Sequence, residues 1–421
     1  MQKLPLTLLV LLACASPSEG LVSLDTGLET DVLGREPRVD SLVVEAIDTS
    51  GNATEIARRR LPADVVDLGE LPKVDTASLR VRGLDAQGAE RVRGESLYAA
   101  YGDLERATLR IFLQRTGESA RFPSPFSTPY PSSDRVDLIA GRYVAVADGA
   151  RLVAYDVANL APIDDRTLPV EPKTVAAFDT RLLLVSDAAQ AVVVDLATRD
   201  ETKLDAPPGG SFAEVAGGRV VRAGAQGTYV VGATRTSSPT AKVLRVAKDG
   251  ALSFVELSSA RAGAGASWVE GRGLVVVGGS PSAAGVEVVA VGSSRGAPLA
   301  FPPEATVGLA TAPLDGSSVA VVGGPSLRVV DLGCAASCAP RTIPSGDGEP
   351  LSSPDATPLD KAALVSGTAP GGRARLYLVE GTSARAVPLR EPRSQVRLVP
   401  LPTGNVAIVG GGPLTLESFR P

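Results

Sequence analysis

The feature that most constrains the fold is a strand-and-turn unit that recurs seven times at nearly constant spacing. A short apolar strand ends in Gly, or in Asp in the first two copies, at positions 148, 187, 232, 278, 323, 367 and 410, which gives intervals of 39, 45, 46, 45, 44 and 43 residues. Copies read YVAVADG, LVVVGGS and VAIVGGG, and a second strand-like run follows each of them. A period of about 40 to 50 residues that holds four short strands is typical of β-propeller blades.

The sequence therefore predicts an all-β fold in which residues 134-421 form a β-propeller, with seven blades as the best count and six to eight as the range. We place the recurring strand on the inner side of each blade, because its small residues suit a crowded axis. The Gly or Asp that follows supplies turn conformations with positive φ. A long β-sandwich does not keep such a period, and β-helix turns are shorter.

The chain before the repeats divides into a strand-rich segment and a proline-rich one. Residues 39-117 alternate as half-buried strands do, which predicts a small immunoglobulin-like β-sandwich. Residues 118-133 include FPSPFSTPYPSS, with four prolines in twelve residues, and predict a linker. Residues 14-38 are polar without clear periodicity, and we interpret them as a tether.

Closure of the ring requires a strand from outside the repeats, because only Pro413 to Pro421 follows the last turn. We predict that a segment preceding the first blade supplies this strand. Leu109 to Leu113 and Phe122 to Phe126 are the two candidates. If Leu109 to Leu113 closes the ring, the sandwich loses that strand.

The first residues have the pattern of an export signal. Residues 1-13 carry one early charge, Lys3, followed by an apolar run that is too short to span a bilayer. The sequence Leu11-Leu12-Ala13-Cys14 resembles the lipobox of bacterial lipoproteins. This resemblance implies cleavage before Cys14 and its acylation, and Ala15 after the cysteine implies delivery to the outer membrane. The alternative is an ordinary secretory signal with an incidental cysteine.

Composition excludes several kinds of chemistry. The chain has no histidine, which removes the commonest general base and the imidazole ligands of zinc or copper. The net charge of −5 gives no reason to expect nucleic acid as a partner. Cys334 and Cys338 are too few soft ligands for a metal site, so in an oxidising compartment they predict a disulfide that closes a small loop.

One copy of the repeat resembles a known family. The segment ARAGAGASWVEGRGLVVVGG matches the kelch repeat at Arg261, Gly263, Ala266, Gly271, Arg272, Gly278 and Gly279. Ala264 stands where the family has histidine, and the later Tyr and Trp of the pattern are missing. The resemblance supports the propeller architecture and implies no active site.

Candidate functional residues are correspondingly few. Arginines at blade edges approach one face of the ring, where propellers usually bind ligands, and the candidates are Arg142, Arg181, Arg261 and Arg272. Two acidic pairs, Asp347 with Glu349 and Asp164 with Asp165, lack the alternating ligands of a calcium loop, and we interpret them as solvated turns. No catalytic residue, metal site or cofactor is predicted.

Three functions fit these observations. The first is a non-catalytic envelope lipoprotein, held to the membrane through acylated Cys14, whose propeller binds an envelope protein or a glycan. The second is an accessory lipoprotein that scaffolds assembly of the outer membrane. The third is a hydrolase or lyase based on carboxylates, which requires a pocket where two carboxylates lie within about 5 to 10 Å of each other.

Overall fold

A computed structural model describes residues 21–62, 65–67, 76–97, 108–126, 135–324, 326–344 and 350–421. These residues are organised almost entirely as β-strands, and no α-helix occurs among them. Three single-turn 3-10 helices cover Phe212–Glu214, Gly224–Gln226 and Gly232–Thr234. Within the same ranges, no helix is long and apolar enough to cross a membrane.

Seven four-stranded antiparallel sheets follow one another along the chain as the blades of a β-propeller. Blade 1 contains β10 (Val136–Ile139), β11 (Tyr143–Asp148), β12 (Arg151–Asp156) and β13 (Ala161–Thr167). Blade 2 contains β14 (Thr174–Phe178), β15 (Arg181–Val185), β16 (Ala191–Asp195) and β17 (Glu201–Leu204). Blade 3 contains β18 (Arg219–Arg222), β19 (Thr228–Val231), β20 (Thr240–Val246) and β21 (Leu252–Arg261).

The remaining blades repeat this order. Blade 4 contains β22 (Gly265–Val269), β23 (Gly273–Val277), β25 (Val286–Ala290) and β26 (Ala297–Pro298), and a side ribbon pairs β24 (Ser280–Ala284) with β27 (Pro303–Glu304). Blade 5 contains β28 (Ala310–Pro313), β29 (Ser318–Val322), β30 (Leu327–Asp331) and β31 (Arg341–Ile343). Blade 6 contains β32 (Ser352–Leu359), β33 (Ala362–Thr368), β34 (Ala374–Glu380) and β35 (Ser383–Ala386). Blade 7 contains β36 (Arg397–Pro400), β37 (Val406–Val409), β38 (Glu417–Arg420) and β9 (Glu118–Arg121).

The blades close into a ring around one axis. The first strand of each blade contacts the first strand of the next, and β36 of blade 7 contacts β10 of blade 1. The core is divided accordingly into seven apolar clusters, each built from two neighbouring blades. Each blade therefore buries both faces against its neighbours, so its packing depends on the blades beside it.

The strand that defines the sequence repeat is the second strand of its blade, which corrects the prediction that it is the inner one. In β23, for example, all five residues are buried. A strand that is covered on both faces is apolar throughout, and this gives the repeat its strong sequence signal. The innermost strands face the axis and carry Asp, Arg, Ser and Thr, which made them inconspicuous.

Blade 7 is completed by a strand from before the repeats, as the ring-closure argument predicts, but neither candidate segment supplies it. The donor is β9, within the residues predicted to be a linker, and it pairs antiparallel with β38. Its sequence, Glu-Ser-Ala-Arg, has little strand character of its own, so pairing with β38 determines its conformation. The Phe122 and Phe126 amides extend the pairing by donating to the carbonyls of Leu416 and Leu414.

The N-terminal strands form two sheets. The larger has five strands in the order β3-β2-β5-β6-β8, namely Ala53–Arg60, Ser41–Asp48, Thr76–Leu84, Glu90–Glu95 and Gln114–Arg115. The smaller has the order β4-β1-β7, namely Val65–Asp67, Leu21–Asp25 and Thr108–Phe112. One apolar cluster contains residues of both sheets. Leu109 to Phe112 thus belong to the smaller sheet, and the immunoglobulin-like topology stays a prediction.

The segment predicted to be a tether is partly folded. Its residues Leu21–Asp25 form β1, which pairs parallel with β7. Arg115 binds the later part of the segment. Its side chain is buried, and its guanidinium donates to the carbonyls of Val32, Arg35 and Pro37 at 2.9 to 3.0 Å. Burial lowers the pKa of Arg115, and these carbonyls satisfy its donors. A polar segment without periodicity can therefore be ordered by one long-range cation.

Candidate functional site

A cavity lies on the propeller axis, where the first strands of the blades meet. Its volume is about 480 Å³, and all seven blades contribute residues to its wall. The wall consists mainly of the innermost strands, whose side chains alternate between the axis and the blade core. The polar and charged wall residues that matter for its chemistry are Asp137, Lys173, Arg219, Arg222, Arg235, Ser267, Thr311, Asp355 and Arg397.

Two ion pairs connect distant blades through this cavity. Arg219 of blade 3 pairs with Asp355 of blade 6, with 2.7 Å between Nη1 and Oδ1. Arg222, at the other end of the same strand, pairs with Asp137 of blade 1 and donates to the carbonyl of Leu138 at 2.6 Å. Since blades 3 and 6 lie opposite each other in a ring of seven, the first pair spans the axis.

Both carboxylates also accept backbone hydrogen bonds from neighbouring blades. Asp137 accepts the N–H of Ala177 in blade 2 at 2.6 Å, and Asp355 accepts the N–H of Leu398 in blade 7 at 2.8 Å. Burial raises the pKa of both carboxyl groups, while the facing guanidinium groups and these N–H donors oppose the rise. Each carboxylate therefore joins three blades, and its lone pairs are largely occupied.

Three further cations line the cavity. Lys173 contacts Asp187 at 3.2 Å and Glu171 at 3.7 Å. Arg235 donates through Nη1 to the carbonyls of Ala213 and Ala216. Arg397 donates to the carbonyl of Pro354 at 3.3 Å, and burial lowers its pKa to about 10.

The wall also contains buried hydroxyls. Ser267 in β22 and Thr311 in β28 are 6% and 4% exposed. Among the residues that the structure describes, neither hydroxyl oxygen has a hydrogen-bond partner, and the same is true of Nε of Arg235. An unsatisfied buried polar group costs about 1–3 kcal/mol, so these groups lower the stability of the inner strands unless water reaches them.

Three of the four arginines predicted at the ring face lie where the first strand of a blade turns into the second. Arg142 forms a bidentate pair with Asp156 at 2.7 and 2.9 Å. The guanidinium of Arg181 lies 4.7 Å above the ring of Phe178. Arg272 donates to two carbonyls of blade 5, those of Gly316 and Leu332. All three have structural partners, and a binding role for them stays a prediction.

The fourth, Arg261, is fully buried, so it cannot meet a ligand at the face of the ring. Its guanidinium donates to the carbonyls of Gly278 and Ala284 at 2.9 and 2.7 Å, and it pairs with the equally buried Glu287 at 3.2 Å. The Gly278 turn has φ of +75°, and a Cβ there would lie 2.5 Å from Leu309. The arginine thus holds a turn that only glycine can form, and its place in the kelch-like motif is structural.

The same clamp recurs in blade 7. Arg393 is buried, donates to the carbonyls of Gly410 and Thr415 at 2.6 and 2.7 Å, and pairs with buried Glu417 at 2.9 Å. In both copies the arginine precedes the turn glycine by 17 residues. A pair of reversed sign precedes the turn of blade 5: Glu304 of the ribbon strand β27 pairs with Arg328 in the third strand of that blade. In three blades, therefore, a charged residue before the turn pairs with an opposite charge in the third strand.

The cysteine predictions differ in outcome. Cys334 and Cys338 form a disulfide, with 5.8 Å between their Cα atoms, and the predicted pairing is confirmed. Cys14, the predicted site of acylation, lies outside the described residues, as do Asp347 and Glu349. Asp164 and Asp165 lie in strand β13 rather than in a turn. Within the described ranges, no group of three or more acidic or cysteine side chains could hold a metal ion.

Sequence reasoning missed the charged axis, although a signal for it was present. Asp137, Arg219, Arg222, Asp355 and Arg397 lie 10 to 13 residues before the turn residue of their blades. Alignment of the residues before each turn, as well as those within it, would have placed these charges in the same short segment of their blades. Their pairing between blades 1, 3 and 6 depends on ring geometry and has no sequence signal.

Comparison with known proteins yields similarity of structure only. No protein-family model matches the chain, and no curated protein matches its sequence. The chain resembles one in a crystal structure of the mitotic checkpoint complex, with 14% identity, a TM-score of 0.49, and coverage of 72% of this chain and 93% of that one. It also resembles U3-55K (10% identity, TM-score 0.48, coverage of 72% and 98%) and YCF48 from Cyanidioschyzon merolae (11%, 0.49, 72% and 99%). With TM-scores below 0.5, these similarities carry no argument about this chain, and its β-propeller fold is read from its strand order.

Proposed function

We propose that this chain is a non-catalytic lipoprotein of the cell envelope whose kelch-like propeller binds protein or glycan partners. The observation that carries the non-catalytic part is the state of the axial carboxylates. Asp137 and Asp355 each form an ion pair with an arginine and accept a hydrogen bond from a backbone N–H. The two carboxylates therefore hold neighbouring and opposite blades together. A general acid or base needs free access to the substrate proton, which this arrangement does not favour.

The kelch-like part is supported by the repeated clamp. The Arg261 to Glu287 pair and the Arg393 to Glu417 pair occupy equivalent places, each joined to the turn glycine 17 residues later. The motif therefore has a structural purpose that can persist after loss of the family's histidine. A rigid ring of this kind presents loops from seven blades, which suits binding of a large partner.

The envelope part is supported by the lipobox-like sequence before Cys14 and by the disulfide between Cys334 and Cys338. Disulfides are typical of oxidising compartments, such as the bacterial periplasm and the cell surface. Several acyl chains on Cys14 would give firm anchoring, since each buried methylene contributes about 0.8 kcal/mol. We propose the outer membrane as the destination, on the basis of Ala15.

Two measurements test this proposal. The wild-type chain and a Cys14→Ser variant are expressed in a bacterial host and fractionated after labelling with a palmitate analogue. We expect label and membrane association for the wild type, and neither for the variant. Crosslinked affinity capture from the membrane fraction should then recover a partner in stoichiometric amount from the anchored form.

Three outcomes would contradict the proposal or redirect it. An unlabelled wild type in the soluble fraction refutes the lipid anchor. Turnover of a glycan or ester substrate that is lost in Asp355→Asn, without loss of folding, refutes the non-catalytic assignment. Protease shaving of intact cells separates the surface-binding role from the assembly role, because an accessory on the periplasmic side is protected.

A further inference from the structure

The ring-closing strand β9 is bonded on the edge that faces away from β38. The last strand of a sheet ordinarily presents unpaired N–H and C=O groups on that edge. Here the carbonyl of Arg121 accepts the N–H of Leu28 at 3.2 Å. The N–H and Nε of Arg121 donate to one carboxylate oxygen of Glu29 at 3.2 and 2.9 Å. Residues that follow β1 therefore occupy the outer edge of the strand that closes the ring.

The other end of β9 is held by the same N-terminal segment. Arg35 pairs with Glu118, with 2.5 Å between Nη2 and Oε2. The same oxygen of Glu118 pairs with Nη2 of Arg390 at 2.8 Å, and Nε of Arg390 donates to the carbonyl of Ser119 at 2.7 Å. Glu118 thus connects the N-terminal segment with the residues that lead into blade 7.

The close approach of this segment to β9 requires a glycine. Gly27 has φ of +64°, and a Cβ there would lie 2.0 Å from the carbonyl oxygen of Arg121. Its N–H donates to Oδ1 of Asp25 at 2.7 Å, which fixes the turn after β1. A residue with a side chain would push the segment away from β9. The turn that brings Leu28 and Glu29 onto the strand therefore depends on this position.

The contact is polar and partly open to solvent. Leu28 is exposed, and the side chains of Arg35 and Glu118 are 34% and 37% exposed. Ion pairs at such exposure are weak. The blades, in contrast, are held by apolar clusters, as in β23, where all five residues are buried. Parts of a fold with few buried apolar contacts open locally while the core stays folded, so this contact can open before the blades do.

We propose that residues 26–38, the segment between β1 and β2, form a strap that holds β9 in blade 7 and controls how firmly the ring is closed. When the strap opens, β9 loses the bonds at Arg121 and Glu118 and relies on its pairing with β38. Ala120 and Phe122 then leave the apolar cluster between blades 7 and 1 more readily. The strap directly follows β1, so binding or tension at the N-terminal end reaches it before the blades. This device depends neither on the lipid anchor nor on the partner proposed above.

Hydrogen exchange of the full chain, measured by mass spectrometry, tests the strap. Glu29→Ala removes the acceptor of both bonds from Arg121, so exchange in a peptide that covers residues 118–126 should rise about tenfold. Exchange in β23 should stay at the wild-type rate, because the blades remain folded. Glu29→Gln keeps an acceptor oxygen and should give a smaller rise.

A second variant and a matched control assign the effect to the strap. Arg35→Ala removes the pair at the other end of β9 and should also raise exchange in residues 118–126. Arg38→Ala is the control, since it removes a cation of the same segment whose pair with Glu36 is 74% and 76% exposed and does not involve β9. We expect wild-type exchange in this variant.

Three results overturn the proposal. Wild-type exchange of residues 118–126 in Glu29→Ala would mean that the strap does not hold β9. An equal rise in β9 and β23 would mean that the substitution weakens the whole fold and opens no local contact. An equal rise in Arg38→Ala would exclude a specific role for the contacts with β9. If Glu29→Ala fails to fold, Arg35→Ala decides by the same criteria.

Discussion

Replacement of Arg261 with methionine tests whether the buried clamp, rather than a ligand, explains this arginine of the repeat. The substitution leaves Glu287 fully buried, and its Oε2 loses the guanidinium at 3.2 Å. The carbonyls of Gly278 and Ala284 lose their donors at 2.9 and 2.7 Å. Breaking a buried pair by removing one partner typically costs about 3–5 kcal/mol, so we expect a loss of this size in the free energy of unfolding.

Urea denaturation measures this loss, and a double-mutant cycle assigns it to the pair. Adding Glu287→Gln to Arg261→Met should recover part of the stability, because the buried charge is removed, with a coupling of about 1–3 kcal/mol. The matched control is Lys242→Met, which breaks the more exposed pair with Glu256 and should cost less than about 1 kcal/mol.

The reasoning is refuted if Arg261→Met costs no more than Lys242→Met at an unchanged denaturant slope. It is also refuted if the two substitutions at the clamp are additive, since additivity means that the residues do not stabilise each other. A change in slope would instead report a change in cooperativity and would require calorimetry of the same variants.

Two further predictions concern ring closure and pH. Deletion of residues 410–421 removes β38, which pairs with both β37 and β9, so calorimetry should show loss of the single cooperative transition; unchanged melting would contradict closure by strands from both ends of the chain. Burial alone would raise the pKa of Asp156, but hydrogen bonds from Arg142 and from two backbone N–H groups outweigh it and hold the pKa below its ordinary value. The carboxylate therefore contributes stability above its unfolded pKa of about 4, and this contribution is lost as the pH falls through the lower folded pKa. Asp156→Asn should accordingly lower unfolding free energy more at pH 6 than at pH 2, and an equal loss at both values would disprove the assignment.

The charged clamp shows why a motif can be recognised while its role is misjudged. Arg261 was visible in the sequence as part of a kelch-like pattern, and its position at a blade edge favoured a binding role. Its burial depends on Glu287, which lies 26 residues later and becomes its neighbour only when β25 joins the blade. The reversed pair of Glu304 and Arg328 was harder still to recognise, since neither residue matches the pattern.

Ring closure shows a second limit. The number of residues after the last turn required an external strand, and this could be counted from the sequence. The identity of the donor could not, because β9 has weak strand propensity and gains its hydrogen bonds from β38, about 300 residues away. Of the two candidate segments, Leu109 to Phe112 pairs with β1 instead, and Phe122 to Phe126 only extends the pairing that β9 begins.

The sequence by itself determined the all-β class, the repeat and the disulfide, because each depends on local periodicity or on residues close together in the chain. The second strand of each blade is buried and must be apolar throughout, so the same apolar pattern recurs seven times in the sequence. Only the tertiary structure decided which charges meet on the axis, which strand closes the ring and which hydroxyls are left without partners. These features arise from contacts between blades. In a closed ring, residues that are far apart in the sequence can face each other across the axial cavity.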